Sequence, residues 1–260
     1  MDRQCVRWIQ RFIKIKKQEE GIYQKVVKED VFDILQGQCT VLYYNLDDAI
    51  DGCHINKPMH DGSMRPFVFI NTEKNVQEQV WSAAHELGHV WEVDAYVRKH
   101  MTSEETTEDI VSRFAAEFMM PEKEFAAEIH RKLNQFSYTG KSMPVDMMME
   151  LIAYLMNTFC TPYKSIVKRF IEMGYVKSET FEVLDKYRDS ENLNRVIQEN
   201  QYSRLGKERP VYAIENFPKE LQIVEEKQLM GQRKIEKIRE IMHIEKAELG
   251  EEQVSFNYNS

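Results

Sequence analysis

The stretch Trp81-Ser82-Ala83-Ala84-His85-Glu86-Leu87-Gly88-His89-Val90 constrains the chain more than any other, because its two histidines act together only on a helix. Residues four apart in an α-helix differ by about 40° around the axis and about 6 Å along it, so His85 and His89 can reach one ion. Neutral imidazoles suit zinc, and two of them leave room for a third protein ligand and a water, the open arrangement that hydrolysis requires. Glu86 then stands beside the metal without ligating it, placed to take a proton from the attacking water and hand it to a leaving amine. On the helical wheel Val76, Val80, Ala83, Leu87 and Trp91 share one side, with Glu78, Ser82, His85, His89, Glu92 and Tyr96 roughly opposite. The rival reading is a solvent face carrying two exposed histidines. With only 7 His in 260 residues, accidental spacing is the weaker account.

A catalytic zinc site needs a third protein ligand. The metzincin solution fails, since the positions that would carry its glycine and third histidine are Glu92 and Ala95. A carboxylate from a later helix remains, and SEETTEDIVSRFAAEFMMP at 103–121 offers Glu104, Glu105, Glu108 and Asp109. Ile110, Val111, Phe114, Ala115, Phe118 and Met119 form the apolar stripe of that helix, which should pack on the histidine helix. Glu108 lies about 70° from the stripe centre, Glu105 about 130° away, and Asp109 roughly opposite. Glu104 has a better angle still but falls among the capping Ser and Thr residues, where the helix has not securely begun.

Around these segments the pattern predicts an α+β protein. Cys5, Trp8, Ile9, Phe12 and Ile13 mark a first helix, and Val26, Val27, Val31, Ile34 and Leu35 a second ending near Gly37. Thr40 to Tyr44, a short segment around Cys53 to Ile55, and Pro66 to Ile70 read as a small three-stranded sheet, with turns at Asp51-Gly52 and Asp61-Gly62. A helix capped by Asn71 or Thr72 then runs through about Tyr96, followed by helices near 106–120, 121–133, 144–159 and 162–173. Thr161 reads as an N-cap with Pro162 at the first helical position, and Gly174 as the terminating glycine. Beyond 176 the chain is more charged, with a short apolar Val211 to Ile214 and a last helix over 219–247.

Composition narrows the partners. Net charge is -8, which disfavours direct nucleic-acid binding because a duplex selects a basic footprint. No apolar run approaches the roughly 18 residues of a membrane span. The basic N-terminus is interrupted by charges and lacks a cleavage site, so it does not read as a secretory signal. Cys5, Cys39, Cys53 and Cys160 form no CxxC pair, and reduced thiols with a cytoplasmic location are the expectation.

HELGH at 85–89, Glu108-x-x-Val111-x-x-Phe114-Ala115, and Phe118-Met119-Met120-Pro121 together resemble the ImmA/IrrE family of bacterial metallopeptidases. Val111 stands where the family usually has alanine, which adds bulk but removes no ligand. The resemblance extends upstream to FVFIN at 67–71 and downstream to TPYKSIVKRFIEMGYV at 161–176. It implies a zincin-like core with His85, His89 and Glu108 holding zinc and Glu86 as base. The expected organisation is N-terminal helices over 1–38, the metallopeptidase core over 39–140, a small helix-turn-helix-like element over 141–176, and a charged helical extension over 177–260. The implied activity is a cytosolic endopeptidase that cleaves a helix-turn-helix repressor of a prophage or mobile element.

A second class of function is a non-catalytic regulator that binds a repressor or DNA through the same fold. Lys164, Lys168 and Arg169 would then be available for phosphate. Tyr96 and His100 are weak candidates for an oxyanion donor, and His54 approaches from the strand region; none of the three is assigned a catalytic role. The cluster Met143, Met147, Met148, Met149 and Met156 reads as core filling before it reads as a peptide-binding surface.

Overall fold

A computed structural model describes residues 1–44, 46, 49–58, 62–140, 142–202, 205 and 217–241. Val211 to Ile214 and Asp61 lie outside the described residues, as does the end of the expected 219–247 helix. Met1–Val211 form one compact unit and Tyr212–Ser260 a second.

In the first unit α1 (Arg3–Glu19), a 3-10 turn and α2 (Val31–Gln38) precede three strands, β1 (Thr40–Tyr44), β2 (Gly52–Pro58) and β3 (Met64–Asn71). The central β3 pairs parallel to β1 and antiparallel to β2, which leaves β2 at an edge. The α+β expectation with a three-stranded sheet holds. Next come α3 (Val76–Val90), α4 (Val93–His100), α5 (Thr107–Met119), α6 (Glu122–Gln135), α7 (Val145–Phe159), α8 (Tyr163–Glu172), α9 (Thr180–Asp185) and α10 (Glu191–Glu199). The unit stays compact beyond residue 176, with α9 packed on α8 and α10 on α7.

The histidine helix differs from its predicted bounds at both ends. Its N-cap is Asn75, whose side chain accepts from the Glu78 N–H while Glu78 reaches back to the Asn75 N–H. Asn71 is instead fully buried and ties down the loops before the helix, accepting from Leu46 and Glu73 N–H groups and donating to the Ile50 carbonyl. At the other end Glu92 adopts φ +56°, a left-handed conformation that breaks the helix, so Tyr96 belongs to α4 and not to the histidine helix. The rival reading of the polar side as a solvent face does not hold. Ser82 and Glu86 are buried there, because β2 covers that flank while α5 covers another.

Two glycines allow these close approaches. A Cβ on Gly52 would lie 2.2 Å from Ser82 Oγ and 2.9 Å from the Phe69 carbonyl oxygen, so β2 reaches α3 only without a side chain there. A Cβ on Gly88 would lie 2.8 Å from Phe114 Cδ1 and 3.0 Å from Val111 Cγ1. Gly88→Ala gains about 1 kcal/mol of helix propensity but overpacks an interior for about 1–3 kcal/mol. Phe114 is fully buried and has nowhere to yield. We therefore expect net destabilisation, read as a lower denaturant midpoint with an unchanged m-value; a midpoint at or above wild type would refute the packing argument.

Further along, Pro162 is itself the N-cap of α8, one position before the expected place, while Gly174 does take the left-handed terminating position at φ +74°. Met149 and Met156 enter the core, as expected of the methionine cluster. The 219–247 helix is two in the second unit, α11 (Phe217–Glu226) and α12 (Gln232–Ile241), interrupted at Gln228 with φ +51°. There Glu225 accepts from Gln232 and pairs with Arg239, linking the two helices.

Candidate metal centre

His85 and His89 project from the last two turns of α3 toward the first turn of α5, which carries Glu108. The Glu108 carboxylate straddles them: Oε2 lies 3.1 Å from His85 Nε2, and Oε1 lies 3.3 Å from His89 Nε2. Two donors bonded to one zinc at about 2.0–2.2 Å and a tetrahedral angle lie roughly 3.4 Å apart, so these separations fit a single divalent cation. All three donor atoms fall within 4.8 Å of one another. Burial pushes both imidazoles toward the neutral form, against the pull of Glu108, which keeps ring nitrogens free to donate lone pairs. Ser112 Oγ sits 3.5 Å from His85 Nδ1, on the far side of the ring from Glu108.

The competing acids are engaged elsewhere. Asp109 caps α5 by accepting from Thr106, and Glu105 faces the N-terminal amine of Met1 and the Asp2 N–H. Glu104 is exposed. Among the described residues, Glu108 is the one acid that closes a metal-binding set with both histidines.

Glu86 is directed from α3 toward β2, with Oε2 3.6 Å from His54 Nδ1. Burial, and secondly the charge of Glu108, pushes its carboxyl up to about 7. A carboxyl in that range exchanges protons readily with water near neutral pH. The His54 ring stacks on His89, with centroids 4.7 Å apart and planes 17° from parallel. Sequence reasoning left His54 without a role because strand pairing, not local spacing, brings β2 over α3.

Tyr96 and His100 go the other way. Beyond the break at Glu92 they join an aromatic cluster with α1, Tyr96 against Phe12 at 4.9 Å and His100 against Trp8 at 4.4 Å. Arg169 is likewise not available for phosphate, being 1% exposed and bonded through both terminal nitrogens to Glu117 at 2.7 and 2.9 Å. Lys164 and Lys168 are exposed and line a cleft of about 860 Å³ whose wall includes Trp81, Ser112 and Tyr163. Through Ser112 that cleft reaches the His85 side of the centre.

Residues 45–169 match the family model described as the IrrE N-terminal-like domain, a peptidase family. That span contains both histidines, Glu86, Glu108 and His54. None of the curated proteins matches the chain. No helix among the described residues is long and apolar enough to cross a membrane.

Proposed function

From the match of residues 45–169 to the IrrE N-terminal-like domain, we propose that this chain is a zinc-dependent endopeptidase of the ImmA/IrrE type. The observation that carries the reading is the Glu108 carboxylate spanning both imidazoles at 3.1 and 3.3 Å. His85, His89 and Glu108 are the metal ligands in this proposal. Zinc held there supplies a Lewis acid that polarises the scissile carbonyl and acidifies water. Glu86 takes the proton from the attacking water and returns it to the leaving amine nitrogen. Burial of Glu86 beside Ser82 and Gly52 limits the water around the carboxylate, which strengthens its effect on the reacting atoms.

In this reading an extended substrate segment pairs with the edge of β2 that no described strand covers, whose outer half is exposed from Asn56 to Pro58. Backbone pairing along such an edge holds a peptide beside the centre with little demand on its side chains. The proposed substrate is a helix-turn-helix transcriptional repressor of a prophage or mobile element, and the proposed location is the cytoplasm. Both rest on the family resemblance, to which the net charge of -8 adds that a protein is a better primary partner than DNA.

Metal analysis of the purified protein tests the centre directly. We expect about one zinc per chain. Glu108→Ala should weaken binding by more than the roughly 10–100-fold that loss of a mere outer partner costs. Zinc retained at full affinity by Glu108→Ala would remove Glu108 from the ligand set. Coexpression with a candidate helix-turn-helix repressor then tests the substrate, the expected result being a cleaved repressor.

A further inference from the structure

We propose a second, weaker zinc site formed by His54 Nδ1 and Glu86 Oε2, through which zinc beyond one equivalent inhibits the enzyme. The inhibition rests on the reading of Glu86 as the base; the site itself rests on geometry. The two donors are 3.6 Å apart, close to the roughly 3.4 Å that two ligands of one tetrahedral zinc span. One is an imidazole and the other a carboxylate, the mixed nitrogen and oxygen set that suits zinc; magnesium and calcium favour oxygen alone.

The donors are held in place. His54 is fixed against the His89 ring, 4.7 Å between centroids, and Glu86 is buried between α3 and the Gly52 backbone. Cations can still enter, because His54 lies on an edge strand with its side chain 29% exposed. His54, Glu86 and His89 offer donors within 4.8 Å of one another, so three ligands are nominally present. His89 Nε2, however, faces Glu108 at 3.3 Å and belongs to the first centre. The second cation therefore has two protein ligands, completes its shell with water, and binds more weakly than the first.

Occupancy would disable catalysis without disturbing the first zinc. A Glu86 oxygen bonded to a cation no longer accepts a proton from water. The first centre, which does not use His54 or Glu86, stays loaded.

Zinc titration of metal-free protein, followed by equilibrium dialysis with metal analysis and in parallel by peptide cleavage, tests this. Wild type should take up one tight and one weak zinc, with activity rising to the first equivalent and falling as the second binds. His54→Ala and His54→Gln should each bind a single tight zinc and show no fall, and excess magnesium should not inhibit wild type. The glutamine variant keeps polar bulk on β2, and far-UV circular dichroism checks that both variants are folded. A second zinc retained by both variants, or wild type saturating at one zinc with no fall, overturns the proposal while leaving the peptidase reading intact. Failure to bind even the first zinc overturns that reading as well.

Discussion

Glu86→Gln is expected to keep the tight zinc at His85, His89 and Glu108 and lose roughly 10²–10⁴-fold in kcat. The substitution preserves shape and burial but removes the lone function the mechanism asks of this residue, which is to hold a proton between water and the leaving amine. Glutamine donates and accepts hydrogen bonds, so the buried site beside Gly52 stays filled and polar. KM should change much less than kcat, because Glu86 acts on the water and not on the substrate backbone. A variant that loses the tight zinc instead would place Glu86 in the ligand set of the first centre. A variant with undiminished biological effect but no cleavage would favour the non-catalytic regulator, whereas full cleavage would remove Glu86 as the base.

The second large effect is on stability. Glu117 and Arg169 form a buried ion pair that joins α5 to α8, with side chains 3% and 1% exposed. Gln10 from α1 donates to Glu117, Arg113 pairs with both Glu117 and Glu172, and Arg169 also reaches Glu172. Removing one partner leaves the other buried charge with only part of its compensation, Arg113 and Gln10 for Glu117 or Glu172 for Arg169. The cost approaches about 3–5 kcal/mol, that of a fully orphaned buried charge. Arg169→Met and Glu117→Gln should therefore each lower Tm by several degrees or more in calorimetry. The double variant Glu117→Leu/Arg169→Met should recover much of that loss, because it leaves Arg113 matched to Glu172 and no orphaned buried charge. A cost below about 1 kcal/mol for both single variants would show the pair to be energetically idle.

The same pair sets a pH limit. Burial alone would raise the Glu117 carboxyl, but the hydrogen bonds and charge of Arg169, with Arg113 and Gln10, hold it below the ordinary value. A carboxyl depressed in the folded state stabilises above its unfolded pKa, near 4.3, and that contribution disappears as pH falls through the lower folded value. Acid unfolding of wild type should thus contain a contribution from this group that Glu117→Gln lacks.

The parts of this protein differ in how far residue spacing reveals them. Most helices and all three strands are legible because a helix or strand repeats its apolar residues at its own period. The break after Trp91 was hidden. Glu92 is left-handed, and nothing in the local pattern of Val90 to Tyr96 announces it. The resulting misplacement of Tyr96 shows how one residue's φ redirects every side chain that follows. Asn71 shows the converse: it has the chemistry of a cap, but its amide serves three loop groups at once.

Sequence alone put His85, Glu86 and His89 on one helix, because their relation is intrahelical and helix geometry is the same wherever the helix is found. It also favoured Glu108, within one short acidic segment, as the candidate third ligand. Only the tertiary structure brought the Glu108 carboxylate across both imidazoles, through the close seat of Gly88 against Val111 and Phe114. It likewise delivered His54 to Glu86 and Arg169 to Glu117. Such meetings join residues distant in the chain, and they depend on how elements pack, which no local period encodes.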